Sequence, residues 1–211
     1  MKWIREFLKA VLAGCAIGIG GAVYLNCDNK YVGAFFFCVG LITVVYFGLN
    51  LFTGKVGYVE GIRDVPRMIL YIVGNTVGAA LPGLLAHSAA VPIVEAKLAL
   101  PFYIVFIKAI FCGVLMYIAV ELFKSRNTVL GILFGVPAFI LAGFEHSIAD
   151  MFYFAASGYR EWNGLWFLLI VILGNAIGGM LLPLLERLGK WCDARPAAPI
   201  EAAPKKGARK K

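Results

Sequence analysis

Charge is scarce in this sequence: Asp, Glu, Lys and Arg make up 15% of its 211 residues, against about 25% in an ordinary soluble domain. A chain so poor in charge, 61% hydrophobic and with a mean hydropathy of +0.84, cannot hide its apolar surface in one soluble core of this length. A soluble enzyme, a disordered chain and a nucleic-acid-binding module are thereby excluded. Catalytic and metal-binding motifs are missing too. There is no ATP-binding loop, no His-Glu-x-x-His and no Cys-x-x-Cys. No enzyme activity, cofactor or metal is expected, and the absence of an Asn-Pro-Ala tripeptide weighs against a water or glycerol channel. The five cysteines, Cys15, Cys27, Cys38, Cys112 and Cys192, read as free thiols, because the count is odd and no secreted framework is present.

What the sequence has instead is long apolar runs, at 7–25, 31–62, 66–90, 99–123, 128–157 and 163–188. With roughly 20 residues needed to cross a hydrocarbon core, these predict an all-α membrane protein of six transmembrane helices. The first run lacks a small-residue cleavage site, and its Gly14, Gly18, Gly20 and Gly21 suit helix packing rather than a signal peptide. The net charge of +8 is unevenly placed. With the N-terminus inside, sixteen Lys and Arg fall on the inner side and four (Lys30, Lys97, Lys108 and Arg160) on the outer side. The positive-inside rule then predicts both termini in the cytoplasm, in a cell inner (plasma) membrane. Residues 1–192 read as the membrane domain. Residues 193–211, with Ala, Pro and Lys and no aromatic residue, read as a disordered basic tail.

An internal repeat sets the expected architecture. Gly74-Asn75-Thr76-Val77-Gly78-Ala79 recurs 100 residues later as Gly174-Asn175-Ala176-Ile177-Gly178-Gly179, and each copy closes a group of three runs. Three is odd, so the second group enters the membrane inverted relative to the first. The second run of each group is too long for one straight span: as helices they would measure about 48 and 45 Å, against a core of roughly 30 Å. Each holds polar residues at mid-run, Asn50 to Lys55 in one and Gly143 to Ser147 in the other. Helices 2 and 5 are therefore predicted to be interrupted. Unwound backbone at membrane depth is tolerated only where it is buried or lines a cavity, so the paired breaks mark the expected pathway.

Ionisable residues inside spans are costly and mark function by default. His146 lies at the second break, where a neutral imidazole can donate to an anion or exchange a proton; a structural histidine bonded to the freed backbone is the competing reading. Glu145 is placed to accept from unwound amides or orient the imidazole. Asp150, four residues after His146, is placed to pair with it; a helix-capping role is open for both carboxylates. Thr53 offers a hydroxyl at the first break, or bonds only its own backbone. Lys97, on the outer side between runs 3 and 4, is placed to draw anions into a vestibule, or is an ordinary interfacial lysine. Lys55, Lys108 and Glu121 read as snorkelling residues. Phe52 and Phe144 flank the breaks, where aromatic side chains can form hydrophobic constrictions.

Together these segments resemble the formate/nitrite transporter family. The matching pieces are Leu51-Phe52-Thr53-Gly54-Lys55-Val56, the two Gly-Asn motifs, Ala96-Lys97-Leu98 with Phe106-Ile107-Lys108-Ala109, and Gly143-Phe144-Glu145-His146-Ser147-Ile148-Ala149-Asp150-Met151. The resemblance implies an aquaporin-like fold, a homopentamer with a pore in each protomer, and passage of small monovalent anions or their neutral acids, such as formate, nitrite or hydrosulfide. It places the family's central histidine on His146, its loop threonine on Thr53 and its vestibule lysine on Lys97, with constrictions near Phe52 and Phe144. Many members carry Asn where this chain has Asp150, and Cys-Asn where it has Cys112-Gly113. Only six residues precede the first apolar run, where formate channels have a longer amphipathic segment. These departures leave the hydrosulfide branch open. A neutral-solute facilitator and a non-conducting scaffold of the same fold remain the alternatives, and no nucleic-acid partner is expected.

Overall fold

In the computed structural model, residues 1–86 and 90–193 are described, and they are helical throughout their regular structure. The helices are α1 (Lys2–Leu25), α2 (Lys30–Phe36), α3 (Cys38–Tyr46), α4 (Phe52–Lys55), α5 (Val65–Leu85), α6 (Val91–Leu98), α7 (Phe102–Arg126), α8 (Leu130–Leu141), α9 (Ser147–Ser157) and α10 (Trp162–Asp193). Helices α1, α5, α7 and α10 are each long and apolar enough to cross a membrane. The two remaining predicted spans are divided, the first into α2, α3 and α4 and the second into α8 and α9. His87, and the expected tail apart from Asp193, lie outside the described residues.

Local chemistry explains several ends. Asn29 caps α2 by accepting from the amides of Tyr31 and Val32 at 2.9 and 3.2 Å. Proline at the first turn opens both α5 and α6. The helices that precede the two breaks, α3 and α8, end in the same way. Gly48 and Gly143 take φ of +58° and +66°, in the left-handed region where a side chain is strained. One residue on, the Leu49 N–H donates to Val44 O at 2.9 Å and the Phe144 N–H to Phe139 O at 2.8 Å. This is a Schellman closure, which satisfies late carbonyls and turns the chain out of the helix. The first break therefore starts earlier than its polar residues suggested: Phe52 to Lys55 already form the next helical turn, and residues 47–51 are irregular, whereas the second falls at Gly143 as expected.

The packing centres on two helix pairs, α1 with α5 and α7 with α10, and the repeated motif performs the same task in each. A Cβ on Gly74 would lie 2.6 Å from Ala10 Cβ, and one on Gly174 2.5 Å from Ala109 Cβ. A Cβ on Gly78 would meet Val11 O at 1.9 Å, and one on Gly178 would meet Ile110 O at 1.9 Å. Only glycine allows these backbones to touch. Helix α9 runs through the interior, with Ser147 to Phe154 all buried. Large apolar side chains such as Leu12, Ile19, Leu81, Phe111 and Leu173 cover the outer surface. An exterior this apolar suits lipid, and water would make it an aggregation surface.

Candidate functional site

Breaking a helix frees amides and carbonyls that lipid cannot satisfy. Asn75 and Asn175, both fully buried, supply the missing partners. The Asn75 carboxamide oxygen accepts from the Phe52 amide at 2.8 Å, while its nitrogen donates to Ala10 O at 2.8 Å and Asn50 O at 2.9 Å. The Asn175 oxygen accepts from the Ser147 amide at 2.8 Å, and its nitrogen donates to Ala109 O and Glu145 O, both at 2.8 Å. Each asparagine thus pins a long helix pair to the start of the short helix that follows a break. Neither is in the lining of the two cavities described next.

The two short helices bring Thr53 and His146 together. Thr53 Oγ1 lies 2.9 Å from His146 Nε2, across 93 residues of sequence, and both side chains are buried. His146 is also the N-cap of α9, and its Nδ1 accepts from the Ala149 amide at 3.1 Å. An accepting Nδ1 carries no proton, so the neutral ring holds its hydrogen on Nε2 and donates it to Thr53. The threonine hydroxyl hydrogen then has no acceptor among the described residues. The structural and functional readings of the histidine are therefore not exclusive: one ring nitrogen satisfies the freed backbone and the other faces the opposite break. Phe139 stacks on the imidazole with ring centroids 5.5 Å apart. Sequence reasoning missed Phe139 because it sits in an unbroken apolar stretch that gives no local signal.

Cavities approach this pair from two sides. One of about 510 Å³ is lined by Lys97, Lys108, Phe139, Phe144, His146 and Asp150, among others. The other, of about 130 Å³, is lined by Leu49, Leu51, Gly54, Lys55, Phe123 and Lys124, among others. Lys108 and Lys124 are sixteen residues apart on α7, about 24 Å along its axis, so the cavities open at opposite ends of the molecule. His146 is in the lining of the first and Leu51 in that of the second, and Thr53, bonded to His146, lines neither. Phe144 lines the larger cavity and stacks on Phe111 at 5.5 Å. Phe52 is buried and lines neither cavity.

The charges are arranged differently from the sequence expectation. Asp150 does not pair with His146 through its side chain; only its amide bonds the His146 carbonyl, at 2.9 Å. Its carboxylate lies 2.9 Å from Lys97 Nζ, and Lys97 also donates to the Glu145 carboxylate. Both carboxylates are almost fully buried, at 2% and 1% exposure, and the lysine side chain is 15% exposed. The helix-capping role left open for the carboxylates belongs to the imidazole. Lys97 is an ion-paired residue between two acids and not a freely solvated vestibule charge. Lys108 lines the same cavity instead of snorkelling away from it. At the other end, Glu121 accepts from the Tyr58 hydroxyl at 2.6 Å, and Lys124 Nζ lies 3.2 Å from the Tyr58 ring centroid.

A buried polar pair between two cavities, inside an apolar helical shell, is an arrangement that fits a membrane transport protein. The particular family follows from comparison with known proteins. Residues 1–187 match the formate/nitrite transporter family, and the chain belongs to it. The uncharacterised transporter YrhG of Bacillus subtilis is 32% identical over 181 residues, covering 72% of this chain and 68% of the relative. A probable formate transporter of Methanothermobacter thermautotrophicus is 28% identical over 233 residues, covering 84% of this chain and 85% of the relative. The nitrite transporter NirC of Salmonella typhimurium is 26% identical over 226 residues, covering 88% and 81%. Among solved structures, a pentameric formate channel with formate bound superposes with a TM-score of 0.78 at 24% identity, over 90% of this chain and 98% of that one. Such likeness establishes a common fold. This chain is accordingly an integral membrane protein of a transporter family.

Proposed function

We propose that the chain is a channel or carrier for small monovalent anions or their conjugate acids, with formate, nitrite and hydrosulfide as the substrate class. The observation that carries this reading is the Thr53–His146 contact at 2.9 Å, which joins the two helix breaks between two opposed cavities. An anion entering this dry stretch loses its water, and an unpaired charge in apolar surroundings is very costly. The free hydroxyl hydrogen of Thr53 and the Nε2–H behind it offer replacement donors at the narrowest level. Leu51 and Phe139 exclude water there and favour passage of the protonated acid, which couples flux to protons. His146, Thr53, Lys97, Glu145, Asp150 and Phe144 form the pathway and its support, and Asn75 and Asn175 anchor the breaks. Phe52 keeps a place here as a packing residue beside Thr53.

In this reading the chain has six spans in two inverted halves. The matching bonds of Asn75 and Asn175, and the matching turns at Gly48 and Gly143, support that arrangement. Both termini are cytoplasmic in an inner (plasma) membrane, as the charge bias favours. The apolar outer faces fit a homopentamer in lipid, the state named for the formate channel of the same fold. Purified protein in proteoliposomes tests the function. Uptake of formate, nitrite and hydrosulfide, each accelerated by an inward proton gradient and exceeding that of chloride, is the expected result. Water or glycerol flux without anion flux would make the chain a neutral-solute facilitator, and no flux at all would make it a scaffold.

A further inference from the structure

We propose that Lys108 is the cation that recruits the anion into the larger cavity, a binding role distinct from that of Lys97; this deepens, and rests on, the anion-transport reading. Lys97 is paired with Glu145 and Asp150, so that cluster presents no surplus positive charge to an incoming anion. Lys108 lines the same cavity and forms no ion pair or hydrogen bond among the described residues. The ammonium lies close to the break: a Cβ on Gly143 would lie 3.5 Å from Lys108 Nζ, ordinary van der Waals contact. The ammonium therefore sits beside the left-handed turn that closes α8, within the cavity wall that runs through Gly143, Phe144, Glu145 and His146. Part of its attraction to that place is the carbonyl end of α8, which favours a cation.

The other break supplies the contrast. Lys9 stands against the equivalent glycine turn, and there the ammonium donates to Gly48 O at 3.2 Å. At Lys108 no such bond forms among the described residues, which leaves the donors of a cavity-lining ammonium unpaired. An ammonium with unused donors in a concave, low-dielectric wall concentrates small anions. A carboxylate or nitrite oxygen would be held at Lys108 and handed towards the Thr53–His146 pair. The Lys97–Glu145–Asp150 cluster would then shape the wall without binding the anion.

Formate uptake into proteoliposomes, measured against concentration at low and high salt, tests this. Lys108→Gln should raise the half-saturation concentration by about tenfold at low ionic strength, the lower end of what focused charge achieves. The maximal rate and the oligomer should be unchanged. The difference should shrink to about twofold or less near 1 M salt, where screening extends only about 3 Å. Lys108→Arg should behave as wild type, because it keeps a cation at the site. If wild type transports formate and Lys108→Gln gives a superimposable curve, Lys108 does not recruit the anion. A salt-independent fall in maximal rate, or failure of Lys108→Gln to assemble, would make it a structural cap of α8 and equally overturn the proposal. Absence of transport by wild type itself would instead refute the anion-transport reading.

Discussion

Replacing Asn175 with Ala removes three hydrogen bonds at once, from a side chain with no exposed surface. At about 0.6 kcal/mol per bond, the average measured within membranes, the loss is roughly 2 kcal/mol. At about 1.5 kcal/mol per bond, the upper range for soluble proteins, it is roughly 4.5 kcal/mol. The larger figure applies here, because the Ser147 amide and the Glu145 carbonyl flank a break and have no helical partner to fall back on. The damage should be local: α9 loses its tether to α10, and His146, one residue before α9, loses its fixed position. Asn75→Ala removes the same three bonds at the first break and should cost a similar amount. Thermal denaturation in detergent, followed by loss of the oligomer peak in size-exclusion chromatography, gives the comparison. Both variants should melt well below wild type, and Ile177→Ala, on an exposed face of α10, should not. Asn175→Asp keeps the acceptor and loses both donors, so it should fail as badly as Ala. Wild-type stability in Asn175→Ala would refute the view that these asparagines sustain the breaks.

Other expectations follow from the same geometry. Gly178→Val would drive side-chain atoms into the Ile110 carbonyl, an overpacking defect of about 1–3 kcal/mol or more, visible as reduced assembled protein on native electrophoresis. Lys97→Met leaves Glu145 and Asp150 buried without a cation and should destabilise by about 3–5 kcal/mol; adding Asp150→Asn and Glu145→Gln should restore the melting temperature, and no recovery would mean the acids have other partners. A salt-sensitive transport defect in a fully stable Lys97 variant would contradict the ion-paired assignment. His146→Asn should fold, because Asn is as good an N-cap as any and can accept from Ala149. It loses the ring N–H that faces Thr53, so the uptake profile of a weak acid against concentration should depart from wild type while chloride passage rises. Superimposable profiles for both anions would reduce His146 to a cap.

Much of this protein is determined by local sequence. Apolar length dictates the long helices within a few residues, because a span must cover the hydrocarbon core whatever it packs against. Gly143 opens the second break where the sequence placed it, whereas Gly48 lies ahead of the polar residues that marked the first. The paired Gly-Asn motifs mark two positions of like sequence, and Asn75 and Asn175 there accept from the Phe52 and Ser147 amides in the same way. Tertiary structure decided the rest. Thr53 and His146 meet across 93 residues, and Lys97 reaches Glu145 and Asp150 across roughly half as many. Such pairs depend on how whole helices are registered against one another, and no short-range pattern encodes them. The sequence could place Lys97 and Lys108 near a membrane face, but it could not tell which of them would be neutralised. That depends on which of them the packing puts against the two buried carboxylates, and it puts Lys97 there, leaving Lys108 in the cavity wall with no ion pair among the described residues.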